Sequence, residues 1–329
     1  MKNIIILATG GTIAGVSHSS TDTTSYQSAI LPIKDLLTEI DSLHTIANVY
    51  SEQIAQIDSA DMNHDLWLML AKRANGLLQD PDIDGIVITH GTDTMEETAY
   101  FLNLVIHSVK PVVLVGAMRP STAISSDGPM NLYNAILLAA SPAAHGKGVL
   151  VALNDTINSS RDVTKTNTSL QDTFKAPELG YLGYILDGQP HFYRMPTRKH
   201  TYLTDFSIEG VTCFPQVAIL YGHVNDGGAL ARAAVEGGAK GIIYAGLGNG
   251  NMSQQLRNTL SHIQKTGVIV VRSTRVSNGV VTRNGAIDDD YCGFVAADTL
   301  SPQKARILLM LALTKTTDPA EIQQIFWSH

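Results

Sequence analysis

The fold of this chain is decided near its start, where Ile4-Ile5-Ile6-Leu7-Ala8 runs directly into Thr9-Gly10-Gly11-Thr12. Five consecutive apolar residues are typical of a strand that is buried on both faces, as in a parallel sheet. The glycines after the strand indicate a tight turn at its carboxyl end, which is the edge where open α/β sheets bind ligands. The loop that begins at Thr9 is therefore the first candidate for a functional site.

Further apolar runs of strand length follow along the chain and are separated by segments with helical periodicity. The predicted strands are 4–8, 85–89, 112–115, 149–153, 217–221, 241–245 and 268–272. The predicted helices are 65–78, 94–108, 130–140, 229–236, 253–265, 301–315 and 319–327. This alternation predicts an α/β protein with a larger N-terminal domain, built on a doubly wound and mainly parallel sheet, and a smaller C-terminal α/β domain. A polar, strand-poor stretch divides the two, so we expect domains at 1–193 and 216–329 with a linker at 194–215.

The composition of the chain argues against several classes of protein. Twenty-three Lys and Arg against 30 Asp and Glu give a formal charge of −7, without a basic block that would favour nucleic acid or an anionic membrane as a partner. The apolar run 307–313 is too short to span a bilayer. Two cysteines, Cys213 and Cys292, exclude a zinc ribbon, an iron–sulfur cluster and a disulfide scaffold, and leave a single bridge open. The start of the sequence lacks a signal-peptide pattern, so we expect the cytoplasm, or the periplasm if a signal peptide was removed.

The first glycine-rich loop differs from a dinucleotide-binding fingerprint. That fingerprint has glycine at its first, third and sixth positions, so that the backbone can approach a pyrophosphate closely. Here Gly10 and Gly15 occupy the first and sixth positions, but the third is Thr12, which presents a hydroxyl instead. A structural turn is the other interpretation of this loop. A threonine nucleophile needs an activating group, and Tyr26, on the segment after Thr12, is a candidate. The Ser- and Thr-rich stretch 17–25 between them predicts a mobile lid.

A second loop of the same kind is Thr89-His90-Gly91-Thr92-Asp93, after the strand at 85–89. Thr94 and Glu97 predict a capping box and hence a helix that starts immediately after the loop. Backbone N–H groups at such a start favour an anion, and Asp93 is placed to receive an amino group. In the alternative interpretation these are capping residues and His90 is a satisfied histidine at a strand end. Two Gly-Thr loops that follow two strands of one sheet meet at one edge, which favours a site.

One more candidate activator is Lys165, which lies in a polar segment that also follows a strand. By composition alone, a solvated loop is the favoured interpretation of that segment. The sequence contains neither Gly-x-Ser-x-Gly nor His-Glu-x-x-His, so a serine-hydrolase elbow and a zincin site have no support.

Together, these motifs resemble the bacterial L-asparaginases of the type II group. The resemblance extends from residue 4 to about residue 327 and is carried by the two Gly-Thr loops and by the segments 111–120, 127–129, 161–168, 248–251 and 301–306. It implies hydrolysis of L-asparagine to L-aspartate and ammonia through a covalent acyl-enzyme, with L-glutamine as a weaker substrate and with no metal or other cofactor. It further implies a homotetramer, assembled as a dimer of intimate dimers, with each site at a boundary between subunits.

The resemblance also implies roles for individual residues. Thr12 would be the nucleophile and Tyr26 its activating group, while a second cluster that polarises a hydroxyl or water would comprise Thr92, Asp93 and Lys165. The substrate would be bound by Ser59 at its α-carboxylate, by Asp93 at its α-amino group, and by the Ala117 backbone at its amide. Asn249 would reach the site of a partner subunit.

At two positions the chain departs from the family pattern. Ala60 follows Ser59 where the family has Gln, and Ala286 stands where the family has a Glu that contacts the α-amino group. A charge-assisted hydrogen bond contributes about 1.5–3 kcal/mol, so one loss predicts weakening by about tenfold to a hundredfold. Asp288 and Asp290 are candidates to compensate, although a solvated charge run is the favoured interpretation. Two alternative functions follow: an amidase for a different small amide, and an amino-acid-binding homologue without turnover.

Overall fold

The computed structural model of the protein describes residues 1–40 and 42–329 and consists of two compact units, Met1–Ile208 and Glu209–His329. Each unit contains helices and its own sheet with parallel strands. The predicted fold class is therefore confirmed. The boundary after Ile208 lies inside the segment 194–215.

The first unit is built on an eight-stranded sheet. Its strands are β1 (Lys2–Gly10), β4 (Ala47–Ile57), β5 (Gly85–Thr89), β6 (Val112–Val115), β7 (Val149–Leu153), β8 (Thr156–Ser159), β11 (Gly183–Leu186) and β12 (Gln189–Phe192). Across the sheet they lie in the order β12-β11-β8-β7-β6-β5-β1-β4. Two small ribbons pair β2 (Val16–Ser17) with β3 (Tyr26–Gln27), and β9 (Thr164–Lys165) with β10 (Phe174–Lys175). The helices are α1 (Ile33–Thr38), α2 (His64–Gln79), α3 (Met95–Val105) and α4 (Gly128–Ala140).

The central strands are parallel and buried, as their apolar sequences predict. Every residue of β5, β6 and β7 is buried, and the β1 residues Ile4 and Ile6 share one apolar cluster with Leu132 and Ile136 of α4. Because side chains alternate across a strand, Ile5 and Leu7 of β1 point to the opposite face of the sheet. Strands β8, β11 and β12 add an antiparallel extension at one edge.

The longest strand, β4, is absent from the sequence prediction. It forms the outer edge of the sheet, pairs with β1 alone, and carries many exposed or half-buried polar residues. An edge strand covered on one side only has no continuous apolar run, so its sequence lacks the signal that identified its neighbours.

The second unit contains a four-stranded parallel sheet of β13 (Val217–Tyr221), β14 (Gly241–Gly246), β15 (Ile269–Thr274) and β16 (Val295–Ala296). Its helices are α5 (Ala229–Glu236), α6 (Gln254–Lys265), α7 (Asp289–Cys292), α8 (Pro302–Ala312) and α9 (Pro319–Ser328). Cys213 and Cys292 are both free thiols, so the bridge left open by the sequence does not form. Over the described ranges 1–40 and 42–329, none of the helices has both the length and the apolar character needed to cross a bilayer.

Candidate active site

The two Gly-Thr loops lie in direct contact at the carboxyl edge of the first sheet. Strands β1 and β5 are parallel neighbours with Ala8 opposite Thr89, so both loops leave the sheet side by side. Thr9 Oγ1 donates a hydrogen bond of 2.8 Å to the carbonyl oxygen of Thr89. A Cβ on Gly11 would lie 2.3 Å from Gly91 Cα, and Gly11 has a φ of +85°. Glycine at position 11 is therefore required both by backbone conformation and by the close approach of the loops.

Thr12 and Tyr26 form the first side-chain pair of the site. Thr12 begins a single 3₁₀ turn, Thr12–Ala14, and is buried. The β2–β3 ribbon brings the chain back over this turn, and the Tyr26 phenol oxygen lies 2.7 Å from Thr12 Oγ1. Either oxygen can donate in this hydrogen bond. A proton can therefore pass directly between the two groups.

Lys165, Thr92 and Asp93 form the second cluster. The Lys165 ammonium donates to Thr92 Oγ1 at 2.9 Å and to Asp93 Oδ1 at 2.5 Å. The Lys165 side chain is 18% exposed and the Asp93 side chain 63% exposed, so the aspartate is the open member of the pair. Lys165 lies on the β9–β10 ribbon, where its backbone N–H donates to the buried carboxylate of Glu96 at 3.2 Å.

Ser59 lies in the turn that follows β4 and contacts the second cluster at Asp93. Its Oγ accepts a hydrogen bond of 3.2 Å from the backbone N–H of Asp93. Its carbonyl oxygen accepts one of 2.8 Å from Thr94 Oγ1. The capping box predicted for Thr94 and Glu97 is therefore wrong: the Thr94 hydroxyl is used by Ser59, and α3 has no side-chain cap at its start.

Ala117 lies in the buried turn after β6. The Asp127 carboxylate accepts the backbone N–H groups of Met118 and Arg119, both at 2.9 Å, and the Asn131 side chain donates to the Gly116 carbonyl at 3.0 Å. These three hydrogen bonds hold the turn that carries Ala117.

His90 is a buried, neutral histidine. Burial lowers its pKa to about 4, against the opposing effect of the Gly91 carbonyl. Nδ1 lies 2.7 Å from the Gly91 carbonyl oxygen, which can only accept, so Nδ1 carries the proton. Nε2 then accepts from Thr98 Oγ1 at 2.9 Å, and that hydroxyl accepts from the Trp67 indole at 2.8 Å. The histidine supports the loop in this way and has no accessible proton to exchange.

Asn249, in the second unit, is held in a well-bonded turn. Its amide donates to Thr282 Oγ1 at 2.7 Å and accepts from the Thr282 backbone N–H at 2.9 Å. The guanidinium of Arg272 donates to the Asn249 and Gly250 carbonyls at 3.2 and 3.3 Å. Arg272 is in turn paired in a bidentate manner with Asp289, at 2.5 and 2.7 Å, and both side chains are almost completely buried.

The acids near Ala286 all have structural partners. Asp288 caps α7 by accepting the Tyr291 backbone N–H, Asp289 pairs with Arg272, and Asp290 contacts Arg283 and Asn284. Those last two contacts lower the pKa of Asp290, the Asn284 bond contributing most. Ala286 itself is exposed. Among residues 1–40 and 42–329, no three or more His, Cys, Asp or Glu side chains are grouped so as to hold a metal ion.

Three residues around the site were not singled out from the sequence. They are Glu96, which holds the Lys165 backbone, and the pair Ser28 and Asp58, whose side chains are hydrogen-bonded at 2.6 Å. Glu96 lies in the first turn of α3, where an acid is ordinarily a helix-stabilising residue. Ser28 and Asp58 are thirty positions apart, so no local pattern connects them.

Comparison with known proteins identifies the family. Residues 3–198 match the model for "Asparaginase, N-terminal" and residues 216–326 match that for "Glutaminase/Asparaginase C-terminal domain". L-asparaginase 2 of Bacillus subtilis is 54% identical over 99% of this chain and 86% of the relative. A glutaminase-asparaginase of Pseudomonas fluorescens is 46% identical over 100% of this chain and 91% of the relative. The crystal structure of a probable cytoplasmic L-asparaginase from Campylobacter jejuni superposes over the whole of both chains, with a TM-score of 0.97 and 49% identity.

These matches and the fold define an enzyme of the amidohydrolase class. The chain belongs to the asparaginase/glutaminase family, which confirms the resemblance seen in its sequence. The family and the names of these relatives support hydrolysis of asparagine, with some hydrolysis of glutamine.

Proposed function

We propose that the protein converts L-asparagine to L-aspartate and ammonia through an acyl-enzyme on Thr12, and that L-glutamine is a weaker substrate. The observation that carries the proposal is the contact of two loops that each present a threonine hydroxyl with its own partner. Thr12 is paired with Tyr26, and Thr92 with Lys165. A hydroxyl nucleophile needs an activating partner, and Thr12 has one in Tyr26, which a protein that only binds an amino acid does not require.

The first half of the reaction uses the Thr12–Tyr26 pair. Thr12 Oγ1 bonds to the side-chain amide carbon of asparagine while its proton passes to the Tyr26 oxygen, 2.7 Å away, and the Tyr26 hydroxyl proton passes to the amide nitrogen. The carbon–nitrogen bond then breaks and ammonia leaves. An ester between the substrate acyl group and Thr12 remains. Water then adds to that ester, and its cleavage releases aspartate and restores the Thr12 hydroxyl.

The direction of the Lys165 hydrogen bond explains how the second cluster assists. An ammonium group can only donate, so Thr92 Oγ1 must accept from Lys165. The Thr92 hydroxyl proton is then available to another acceptor. It can polarise the attacking water or the oxygen on which negative charge develops, where a fixed donor has its greatest effect.

The same reasoning supports two separate sites for the charged ends of the substrate. Ser59 Oγ accepts from the Asp93 backbone, so its own proton is available for the α-carboxylate. Asp93 Oδ1 is bonded to Lys165, which leaves Oδ2 for the α-ammonium group. The 3.2 Å hydrogen bond between Ser59 and Asp93 brings these two groups close together, as an α-amino acid requires. The backbone at Ala117 completes the pocket for the amide.

We further propose that the chain assembles as a homotetramer, a dimer of intimate dimers, in which the C-terminal domain at 216–329 contributes Asn249 to the site of a neighbouring subunit. Support comes from the rigidity of the Asn249 turn, because a residue that acts across an interface must be held in place by its own chain. Light scattering after size exclusion tests the assembly. A cytoplasmic location is supported by the similarity to the Campylobacter jejuni protein, and cell fractionation tests it.

The test of the proposed function is ammonia release from L-asparagine and L-glutamine over a concentration series. We expect saturable release from asparagine, less from glutamine, and a loss of at least a thousandfold in kcat for Thr12→Ala. Circular dichroism of the variant checks that it folds. Turnover close to wild type in folded Thr12→Ala would disprove the role of the nucleophile. Saturable binding heat without product from the wild-type protein would favour the binding homologue, and turnover of another small amide alone would favour the amidase.

A further inference from the structure

The segment that carries Tyr26 has little support of its own. It is attached to β2 by a ribbon with only two residue pairs, Val16 with Gln27 and Ser17 with Tyr26. The loop at 18–25 between these strands is largely exposed. Two-stranded ribbons of this size are marginal in water. On one side of Tyr26, the Ser20 carbonyl accepts the Ile124 backbone N–H at 2.8 Å. On the other side, the position of Tyr26 over Thr12 depends on contacts made by the residues just after it.

One of those contacts is a short hydrogen bond from Ser28 to Asp58. Ser28 Oγ donates to Asp58 Oδ2 at 2.6 Å, and Asp58 Oδ1 accepts the Ala60 backbone N–H at 2.9 Å. The Ala60 bond, then the Ser28 bond, and the charge of Lys165 hold the pKa of Asp58 below its usual range. An ionised carboxylate is an acceptor for both bonds, and charge-assisted bonds of this type are the short, strong ones.

The bond joins two parts of the site that the sequence places far apart. Ser28 lies two residues after Tyr26, and Asp58 directly precedes Ser59. We infer that Asp58 is a positioning residue that latches the Tyr26 segment, through Ser28, to the turn bearing Ser59 and thereby keeps Tyr26 on Thr12. The inference rests on the proposed function, in which Thr12 and Tyr26 act as nucleophile and activator.

Three further hydrogen bonds show that this latch lies next to the fixed end of the segment. The Gln56 side chain donates to the Ala29 and Ile30 carbonyls, both at 2.8 Å, and the Ala29 backbone N–H donates to Gly11 at 3.0 Å. These bonds fix the chain at residues 29 and 30. Ser28 is the next residue toward Tyr26, so its bond to Asp58 limits how far the segment can swing away. Asp58 is exposed, which lets the bond open and re-form while substrate enters.

The test compares Ser28→Ala, which removes the bond but leaves Asp58 and its Ala60 contact, with Ser20→Ala, which removes a hydroxyl from the exposed part of the same segment. We expect kcat to fall about threefold to tenfold in Ser28→Ala, with KM for asparagine changed less, and to stay at the wild-type value in Ser20→Ala. Hydrogen–deuterium exchange of peptides covering 16–28 should become faster in Ser28→Ala only. Ser28→Thr, which keeps the hydroxyl, should restore both readouts.

A thermodynamic cycle separates the latch from a general structural effect. Asp58→Ala should lower kcat, and Ser28→Ala should cause no further loss in the Asp58→Ala background, because the bond is already absent. Additive losses, or wild-type kcat and exchange in Ser28→Ala, would overturn the latch. An equal loss in Ser28→Ala and Ser28→Thr would overturn it as well, since the hydroxyl would then be irrelevant. A failure of the proposed function itself would be detected by a different result, namely full turnover in folded Thr12→Ala.

Discussion

Replacement of Lys165 by Met tests the second cluster while leaving the shape of the side chain largely intact. The change removes the donor to Thr92, at 2.9 Å, and the ion pair with Asp93, at 2.5 Å. Because the Asp93 side chain is 63% exposed, solvent screens that pair, and it contributes at most about 1 kcal/mol to stability. The thermal midpoint should therefore change little. Catalysis should change much more, because the orientation of the Thr92 proton depends on Lys165.

The expected loss in kcat for Lys165→Met is about a hundredfold to ten-thousandfold, the range for a positioned proton-transfer group. Ammonia release measures it, and differential scanning calorimetry measures the midpoint. Lys175→Met is the matched control, because Lys175 lies on the adjacent strand of the same ribbon and forms an exposed ion pair with Asp172 at 2.8 Å. A kcat for Lys165→Met within threefold of that control would refute the reasoning.

Three further predictions concern substrate affinity, the second unit and pH. The resemblance in sequence implies Glu where this chain has the exposed Ala286. Ala286→Glu should therefore lower KM for asparagine about tenfold in steady-state assays, without a change in thermal midpoint. An unchanged KM would contradict this prediction. Arg272→Met removes the charge partner of the buried Asp289 carboxylate and should lower the free energy of unfolding by about 3–5 kcal/mol in urea titrations. A loss below about 1 kcal/mol would argue against a buried ion pair. His90 has a pKa of about 4 when folded, against 6.5 in the absence of burial, so the unfolded state binds the extra proton first as pH falls. The contribution of neutral His90 to the free energy of unfolding is therefore complete above pH 6.5 and declines by about 3 kcal/mol toward pH 4. His90→Gln should flatten this part of the curve of unfolding free energy against pH. An equal slope in the two proteins would exclude His90 as the cause.

Most of the fold was predictable because a strand that is buried on both faces has a continuous run of apolar residues in its sequence. Strands β5, β6, β7 and β13 have the bounds expected from their apolar runs. The edge strand β4 lacked that signal. Helix α3 ends at Val105 rather than at 108, which is the usual uncertainty at a helix terminus.

The site was predictable only where its residues follow strands. Thr12 and Thr92 could be singled out because parallel neighbours bring their loops to one edge, and Tyr26 and Lys165 because a threonine needs an activator. The contact from Thr94 to Ser59 spans 35 residues and overrides a local capping pattern that was reasonable by itself. The roles assigned to individual site residues remain predictions for the assays above.

The backbone contact between Gly11 and Gly91 explains why one site can hold two hydroxyl pairs. Each threonine comes directly after its loop glycine, so the contact of the glycines brings the two threonine positions to the same edge of the sheet. Any side chain at position 11 would push the two loops apart and with them Thr12 from Thr92. The partners then approach from different elements, Tyr26 from the β2–β3 ribbon and Lys165 from the β9–β10 ribbon. Neither ribbon has more than two residue pairs, so Tyr26 and Lys165 are held by fewer ladder hydrogen bonds than the sheet strands from which the two threonine loops leave.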